Sequence, residues 1–210
     1  IIEIGTGWGS FALHAAKKYG CKITTTTISN RQYEYVSNLI KVEGLDEKIT
    51  LLKDDYRSLI GQYDKLVSIE MIEAVGYNFI QNFFETCSRL LKPNGLMAIQ
   101  GITYHEQGFE NHLKSVDFIK KYIFPGSNLI SVNHVLSVLK SYTDLSLVHL
   151  EDITKYYAET LKLWRYKYKD ELDKIKEMGY SEEFLRMWDY YFIYCEAGFR
   201  ERFIGDVQLV

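Results

Sequence analysis

The residues best suited to chemistry form a glycine-rich segment near the start of the chain, Glu3-Ile4-Gly5-Thr6-Gly7-Trp8-Gly9-Ser10. A β-branched stretch precedes it and a stretch with helical periodicity follows it, which predicts a strand that turns into a helix. Glycine has no Cβ, so the backbone can turn tightly and lie against a ligand. The spacing differs from the dinucleotide pattern Gly-x-Gly-x-x-Gly, and an acidic residue stands two positions before the first glycine. This combination favours S-adenosylmethionine over NAD, with a plain strand-to-helix connection as the alternative.

Two carboxylates form a second group of candidates. Glu73 follows a predicted buried strand, at the edge of the sheet where catalytic groups belong. Glu70 stands three residues earlier, and one of the two could simply cap the helix that follows. We therefore predict that Glu73 takes part in catalysis and consider Glu70 the weaker candidate.

Strands and helices alternate along the first half of the chain, and this alternation must position both groups. Strands are predicted over residues 1–4, 22–28, 49–53, 63–69 and 96–100, and helices from residue 11, over 30–42 and over 77–91. Ser29 caps the second helix, and the turn Lys92-Pro93-Asn94-Gly95 ends the third. The pattern predicts a parallel sheet with helices on both faces and a ligand crevice at the carboxyl ends of its strands.

The pattern changes after residue 102. Residues 104–126 are polar and aromatic with little periodicity. The later predicted elements are a helix over 129–141, a strand over 146–150, helices over 155–178 and 181–199, and a strand over 203–210. We interpret 104–143 and 155–199 as lid-like insertions in a single domain that spans residues 1–210. Such lids would exclude water from a reactive cation.

Composition limits the classes of function. A net charge of −3 and a pI near 6.0 argue against nucleic-acid binding. The three scattered cysteines, Cys21, Cys87 and Cys195, have no metal-ligand spacing, which predicts reduced thiols and no metal site. With no signal peptide and no spanning apolar run, we expect a cytoplasmic protein whose membrane contact is peripheral. The chain starts inside a strand without methionine, so we expect a missing N-terminal segment that could contribute to the site.

Aromatic residues make up 15% of the chain and include 17 tyrosines. Many lie in the last third, where they are either packing anchors between helices or the lining of a pocket for an apolar or cationic group. The sequence leaves both interpretations open.

Seven separated motifs carry a family resemblance. They are Glu3–Gly9, Thr27–Gln32, Asp55–Arg57, Ser68–Gly76, Tyr122–Gly126, Tyr156–Leu161 and Cys195–Arg200. In this order and over essentially the whole chain, they resemble the cyclopropane-fatty-acyl-phospholipid synthase and mycolic acid methyltransferase family of S-adenosylmethionine enzymes. The resemblance implies a Rossmann-like class I methyltransferase with a mostly parallel seven-stranded sheet and helical lid insertions.

The resemblance also implies a cofactor site. Its residues would be Gly5, Gly7, Trp8, Gly9, Thr27, Gln32, Asp55 and Tyr56. The second strand ends without the acidic residue that many Rossmann enzymes place against ribose hydroxyls, so Thr27 and Gln32 would take that role. Tyr56 corresponds to an aromatic ring near adenine, with Asp55 beside it. An ordinary strand residue is the alternative for Thr27, and a solvated turn is the alternative for Tyr56.

For catalysis the resemblance implies a bound bicarbonate that acts as the base, held by Glu73, Gln100, the backbone of Ile102 and the Tyr157 hydroxyl. Most members have histidine where this chain has Gln100. A glutamine amide can donate to a carbonate oxygen but cannot titrate. An ordinary strand end is the alternative for Gln100, and a buried core residue is the alternative for Tyr157.

The implied reaction transfers a methyl or methylene group to the double bond of an unsaturated acyl chain. The acceptor would be a phospholipid at a membrane surface, and a cyclopropane ring would form through a carbocation that aromatic faces stabilise. A small-amine N-methyltransferase and an inactive cofactor-binding scaffold are the alternatives. We expect no nucleic-acid partner and leave a homodimer open.

Overall fold

The computed structural model describes residues 1–210 and contains one seven-stranded sheet. The strands are β1 (Ile2–Ile4), β2 (Ile23–Thr26), β3 (Ile49–Leu52), β4 (Tyr63–Ile69), β5 (Leu91–Tyr104), β6 (Leu150–Asp152) and β7 (Ile204–Leu209). Their order across the sheet is β3-β2-β1-β4-β5-β7-β6. Strand β7 runs antiparallel to β5 and β6, whereas the pairs from β3 to β5 are parallel. The predicted mostly parallel seven-stranded sheet is confirmed.

Nine α-helices surround this sheet. They are α1 (Ser10–Tyr19), α2 (Asn30–Val42), α3 (Ile72–Val75), α4 (Ile80–Leu90), α5 (Phe109–Lys114), α6 (Val132–Tyr142), α7 (Thr154–Asp170), α8 (Leu172–Glu177) and α9 (Glu182–Arg200). The predicted cap of α2 is present, because the Ser29 Oγ accepts a hydrogen bond from the Gln32 backbone N–H at 3.4 Å. No helix is both long enough and apolar enough to cross a bilayer.

Each face of the sheet buries its own apolar cluster. Ile2 and Ile4 point to the face covered by α4 and α6, where Phe83 and Phe84 are fully buried. Ile23 points to the opposite face, which α1 and α2 cover. Burying one such side chain stabilises the fold by roughly 1.5–3 kcal/mol. The two layers of helices hold the strand ends in fixed positions relative to one another.

Helix α6 belongs to this core. Its residues Val135, Val138 and Leu139 are buried in the same cluster as β1 and α4. The predicted lid over 104–143 therefore does not extend to α6, which covers the sheet as a packed crossover helix. The preceding residues, predicted as aperiodic, contain α5 and a π-helix over Ile119–Ile123.

Strand β5 is longer than predicted at both ends. Tyr63 pairs with Leu91 and Lys65 pairs with Leu96, so the predicted turn at residues 92–95 is a bulge inside the strand. At the other end the strand continues to Tyr104 because it pairs with β7. This extension brings β7 beside the predicted catalytic residues.

The last third also departs from the prediction in detail. Strand β6 covers Leu150–Asp152 instead of residues 146–150, and the helix predicted over 155–178 is divided into α7 and α8. Helices α7 and α9 pack together through Ala158, Leu161, Phe192 and Phe199. This third apolar cluster holds α7 over the end of the sheet.

Candidate functional site

A cavity of about 580 Å³ lies at the carboxyl ends of β1, β2 and β4. Its volume falls within the range of small-molecule sites, roughly 300–1,000 Å³. It is lined by the predicted cofactor residues Gly5, Gly7, Thr27, Gln32, Asp55 and Tyr56 and also by Glu70. The structure thus brings together predicted cofactor residues that are far apart in the sequence; Gly5 and Tyr56 are 51 positions apart.

The glycine turn forms one wall of this cavity. Gly7 has a φ of 54°, and a Cβ at this position would meet no protein atom within 4 Å, so the backbone faces open space. The backbone N–H groups of Gly5 and Thr6 both donate to the Thr26 carbonyl, at 3.2 and 2.9 Å. The turn is therefore fixed to β2 while its outer side stays free for a ligand.

The acidic residue of the turn motif faces away from the cavity. Glu3 is 3% exposed, and its Oε2 accepts a hydrogen bond of 2.6 Å from the Thr25 hydroxyl. The Thr6 hydroxyl lies 2.6 Å from that of Thr25 and continues the network. Burial raises the pKa of Glu3 to about 7. Glu3 therefore ties the glycine turn to β2 and does not contact a ligand directly.

Two predicted cofactor residues lie outside the cavity lining. Trp8 is 56% exposed and contacts the edge of Tyr35, with 5.4 Å between the ring centroids. Gly9 precedes α1 with a φ of 87°, and a Cβ there would lie 3.2 Å from the Val36 side chain. Gly9 thus serves the packing of α1 against α2.

Thr27 and Gln32 meet at the opposite wall. The Thr27 hydroxyl donates to the Gln32 Oε1 at 2.8 Å and accepts from the Ser29 backbone N–H at 3.1 Å. Because the Gln32 Oε1 accepts this hydrogen bond, the amide nitrogen of Gln32 remains available to donate to a ligand in the cavity. The pair can contact hydroxyl groups of a ligand without an acidic residue.

Asp55 and Tyr56 close the cavity on the β3 side. The Asp55 carboxylate accepts from the Arg57 Nε at 2.8 Å and from its Nη2 at 2.7 Å, and these hydrogen bonds hold the pKa of Asp55 below its usual range. The Tyr56 ring packs edge-on against Phe83, with 5.5 Å between centroids. One face of the site is therefore aromatic and anchored in the core.

Glu73 lies behind this cavity, on α3. Its Oε1 accepts a hydrogen bond from the Ile102 backbone N–H on β5. Burial, together with the nearby charge of Glu70, raises the pKa of Glu73 to about 7. A Cβ on Gly101 would lie 2.7 Å from the Ile72 Cγ2 and 3.1 Å from the Glu73 Oε1, so only glycine leaves room for this contact.

Glu70 lies between the cavity and a buried carboxyl group, that of Asp206, which was not predicted from the sequence. The Gln100 Nε2 donates to the Glu70 Oε1 at 2.8 Å and lies 3.4 Å from an oxygen of Asp206. Asp206 is fully buried on β7, and its Oδ2 shares the Gln100 amide with Glu70, so the two carboxyl groups are close enough for each to influence the pKa of the other. Burial raises the pKa of Asp206 to about 8, and the charges of Glu70 and Glu73 add to this effect.

The neighbouring strand fixes the side chain of Gln100. The Gln208 Nε2 donates to the Gln100 Oε1 at 2.9 Å, so the amide nitrogen of Gln100 must point to the carboxylates. Gln100 was predicted to donate to a carbonate oxygen, and in the structure its amide is used by the chain itself. This use depends on the pairing of β5 with β7, where Gln100 stands opposite Gln208.

Tyr157 completes the group from α7. Its ring packs on Phe199 at 4.8 Å between centroids. Burial raises the pKa of Tyr157, and the charges of Glu70, Asp206 and Glu73 raise it further. The predicted catalytic residues Glu73, Gln100, Ile102 and Tyr157 are therefore neighbours, and the hydroxyl of Tyr157 stays protonated beside the carboxylates.

Two of the sequence motifs contact each other at the same place. The Asn128 backbone N–H donates to the Glu73 carbonyl at 2.9 Å, and the Gly126 carbonyl lies 3.7 Å from where a Cβ on Gly76 would stand. The segment after Tyr122 thereby supports the turn of α3.

The sequence gives little signal for Asp206. In Ile204–Leu209 it shares a face with Gln208, opposite Val207 and Leu209, so the alternation suggests a solvent-facing residue, whereas the structure buries it. Such a residue needs a partner or a proton. The partner, Glu70, lies 136 positions earlier, and only the fold brings the two together.

Comparison with known proteins gives a consistent result. The model of the family described as "Mycolic acid cyclopropane synthetase" matches residues 1–209. The chain is 37% identical to tuberculostearic acid methyltransferase UfaA1 of Mycobacterium tuberculosis and 33% identical to the cyclopropane-fatty-acyl-phospholipid synthase of Escherichia coli K12. These alignments cover 99% and 100% of this chain but 48% and 51% of the relatives, so the chain spans about half of their length.

Solved structures agree with the sequence comparison. The mycolic acid cyclopropane synthase CmaA1, complexed with SAH and CTAB, superimposes with a TM-score of 0.90 at 25% identity, over 99% of this chain and 75% of that one. A coclaurine N-methyltransferase has a TM-score of 0.77 at 23% identity, over 99% and 63%, which shows a shared fold alone. The predicted class I methyltransferase fold is confirmed.

Proposed function

Because the chain belongs to the mycolic acid cyclopropane synthetase family, we propose that it methylates the double bond of an unsaturated acyl chain of a phospholipid. One observation carries the proposal. Glu70 lines the cavity together with the predicted cofactor residues, and Glu73, Asp206 and the phenol of Tyr157 lie close behind it. A methyl donor on one side and negative charge on the other suit a reaction that passes through a cation.

The cavity fits S-adenosylmethionine, which supplies an electrophilic methyl group when bound. Gly7 leaves room for a ligand against the backbone, and the Gln32 amide and Thr27 hydroxyl offer polar contacts. Tyr56 offers a ring face. We propose that these residues bind and orient the methyl donor so that its reactive end points to Glu70.

The carboxyl residues would act on the acyl chain. Attack of the alkene on a methyl group leaves a positive charge on the second alkene carbon. Glu73, fixed by the Ile102 N–H, places a negative charge where it can stabilise this cation. The rings of Tyr157 and Tyr191 add aromatic faces that do not react with it.

Bicarbonate is the base that the family resemblance implies, and its predicted donors can be compared with the structure. Glu73 already accepts the N–H of Ile102, and the Gln100 amide is directed to Glu70 and Asp206. Only the Tyr157 hydroxyl is left as a donor among the predicted residues, beside three carboxyl groups. These contacts favour a carboxylate of the chain over bicarbonate, and depletion of bicarbonate is the test.

A membrane surface is the proposed source of the acyl chain. Helix α7 exposes Tyr156, Trp164 and Tyr166, and the Lys155 ammonium lies 4.7 Å from the centroid of the Tyr156 ring. Aromatic rings and lysines together suit the boundary between lipid headgroups and acyl chains. We propose that these exposed side chains of α7 contact the membrane peripherally.

An amine acceptor is the second candidate. The group formed by Glu70, Glu73 and Asp206 would also attract an ammonium group and could take its proton. The two candidates differ in the atom that becomes methylated. Incubation of the full-length protein with S-adenosylmethionine and a panel of unsaturated phospholipids and small amines, followed by mass spectrometry, separates them.

In that experiment we expect a mass increase on the acyl chain of an unsaturated phospholipid and none on its saturated counterpart. Methylation of an amine alone would replace the lipid proposal with the amine candidate. Binding of S-adenosylhomocysteine without product from any acceptor would indicate a scaffold.

A further inference from the structure

We propose that Glu70 is the base that removes the proton from the methylated substrate and that Asp206 is the positioning residue that keeps Glu70 ready to accept it. The inference rests on the proposed function and identifies the proton acceptor of the same site. The proton would be removed by a side chain of this protein rather than by a bound bicarbonate.

The position of Glu70 is the first argument. Among the three carboxyl residues, Glu70 is the one that lines the cofactor cavity, next to Gly5 and Met71. Glu73 does not line the cavity, and its carboxylate already accepts the Ile102 N–H. A base must reach the proton that it removes, and Glu70 alone borders the space where the methyl donor would lie.

The backbone of Glu70 is the second argument. Its φ is 51°, which is unfavourable for a residue with a side chain. Such strain persists where the surrounding structure enforces it, often at functional sites. Here the Glu70 backbone N–H donates to the Gln100 carbonyl at 2.9 Å, and the side chain accepts from the Gln100 amide. Both bonds hold the carboxylate between the cavity and β5.

The contact with Asp206 is the third argument. Two carboxyl groups in contact repel each other unless they share a proton. The Asp206 Oδ1 is buried and receives no hydrogen bond from an N–H or O–H of the chain. A proton on Asp206, directed to Glu70, satisfies both groups and leaves the charge on Glu70.

The charges that face this pair agree with that assignment. Burial and the charges of Glu70 and Glu73 raise the pKa of Asp206, and Asp206 is fully buried whereas Glu70 lines the cavity, which favours the proton on Asp206. Burial raises the pKa of Glu70, whereas the hydrogen bonds from Gln100 and Asp206 oppose that rise. The remaining titratable neighbours are the phenols Tyr157 and Tyr191, whose raised pKa keeps them neutral.

The step balances without any further reactant. The alkene π electrons form the new C–C bond as the methyl–sulfur bond breaks, which leaves a cation on the substrate. A C–H bond of the added methyl group then breaks, and its electron pair closes the ring. The proton passes to the Glu70 carboxylate, which later releases it to solvent. The net products are the cyclopropane, the thioether and one proton.

The test compares Glu70→Gln and Asp206→Asn with wild type in the full-length protein. Exposed Glu151, which lies on β6 opposite Gln208, supplies the control variant Glu151→Gln. The assays use vesicles of a monounsaturated phospholipid, in buffer depleted of bicarbonate and in buffer with bicarbonate restored. Calorimetry measures the binding of S-adenosylhomocysteine to each variant. Circular dichroism shows that each variant is folded.

We expect Glu70→Gln to lower kcat by about 100-fold or more, because a positioned base contributes roughly 10²–10⁴-fold. Asp206→Asn should lower kcat less and shift the pH profile, while KM and cofactor binding stay near those of wild type. Wild type should work equally well with and without bicarbonate. Wild-type turnover that requires bicarbonate, or a Glu70→Gln variant with normal kcat, would overturn the inference.

Infrared spectroscopy of the same variants separates this inference from the proposed function. Glu3 and Glu73, whose pKa values are raised to about 7, also contribute protonated carboxyl C=O intensity near pH 7, so the test is a difference spectrum. Wild type minus Asp206→Asn should show a protonated carboxyl C=O band, and the same band should remain when both proteins also carry Glu73→Gln. If wild type forms no lipid product but shows this band, the lipid proposal fails while the shared proton stands. If the band does not depend on Asp206, the pair as described here is wrong.

Discussion

The two halves of the site use opposite chemistry. On the side of β1, β2 and β3, which we call the neutral half, the cavity is lined mainly by uncharged groups such as Gly7, Thr27 and Tyr56. Its charged residues are Asp54, Asp55 and Arg57, and the last two form an ion pair. On the side of β4, β5 and β7, Glu70, Glu73 and Asp206 concentrate carboxyl groups in a buried space. The neutral half suits the binding of a large ligand by shape and hydrogen bonds. The acidic half suits the stabilisation of a positive charge and the removal of a proton.

The halves also differ in how the chain builds them. The neutral half comes from three strand ends within the first 57 residues, each carrying its own short motif. The acidic half needs β7, which returns antiparallel beside β5 and places Asp206 opposite Ile102. The difference predicts that substitutions in one half change cofactor binding, while substitutions in the other change turnover.

Besides the Glu70 variant, the largest expected effect comes from Glu73→Gln in the acidic half. The amide keeps the size of the side chain and removes the charge proposed to stabilise the cation, so kcat should fall by roughly 10²–10³-fold. Calorimetry should give a dissociation constant for S-adenosylhomocysteine within a few-fold of wild type. Wild-type turnover in this variant would remove Glu73 from the mechanism.

Gly7→Val tests the neutral half. The added side chain would project into the cavity and should weaken S-adenosylhomocysteine binding by about 10- to 100-fold, in line with the energy of overpacking. Gly20→Val is the matched control, because Gly20 also has a positive φ, of 66°, and open space, but lies outside the cavity. Equal loss of binding in both variants would mean that backbone strain, and not the cavity, is responsible.

Gly101→Ala tests the support of the acidic half. Its methyl group would press against Ile72 and the Glu73 carboxylate, so a displaced Glu73 should lower kcat by about 10-fold. Gly198→Ala, which presses only on Ile204, is the control for simple packing strain. If both variants keep wild-type kcat, the close approach at Gly101 has no role in turnover.

The smallest effect on activity is expected at Glu3, where the measurement is stability. Folding raises the pKa of Glu3 from 4.5 to about 7, so its contribution to stability is present at low pH and lost as the pH rises from about 4.5 through 7. In Glu3→Gln the free energy of unfolding should no longer fall over this pH range, whereas in wild type it should fall by up to about 3 kcal/mol. Thermal unfolding between pH 4.5 and 8 measures it, with exposed Glu47→Gln as the control. Parallel pH curves for Glu3→Gln and wild type would contradict this role of Glu3.

The sequence was sufficient for the parts of the molecule that local rules govern. The range of β4 and the cap by Ser29 follow from short segments, and both are present. The family resemblance, and not a local rule, grouped Thr27 with Gln32 and Glu73 with Ile102, and the members of each pair are hydrogen-bonded.

The sequence was insufficient where distant elements decide the contacts. The orientation of the Gln100 amide depends on Gln208, and the protonation of Asp206 depends on Glu70, so neither follows from its own neighbours in the chain. The start of β5 was also missed, since the Lys92–Gly95 segment has the composition of a turn but pairs as a bulge. In each case sheet register, rather than local preference, determines the outcome.

The most direct test of the account is the fate of a labelled methyl group. The full-length protein is incubated with S-adenosylmethionine that carries a trideuterated methyl group, with vesicles of a monounsaturated phospholipid and with a panel of small amines. If a base removes a proton from the added carbon, the acyl product should retain two of the three deuterons. An amine product that retains all three deuterons, with unchanged acyl chains, would contradict the account.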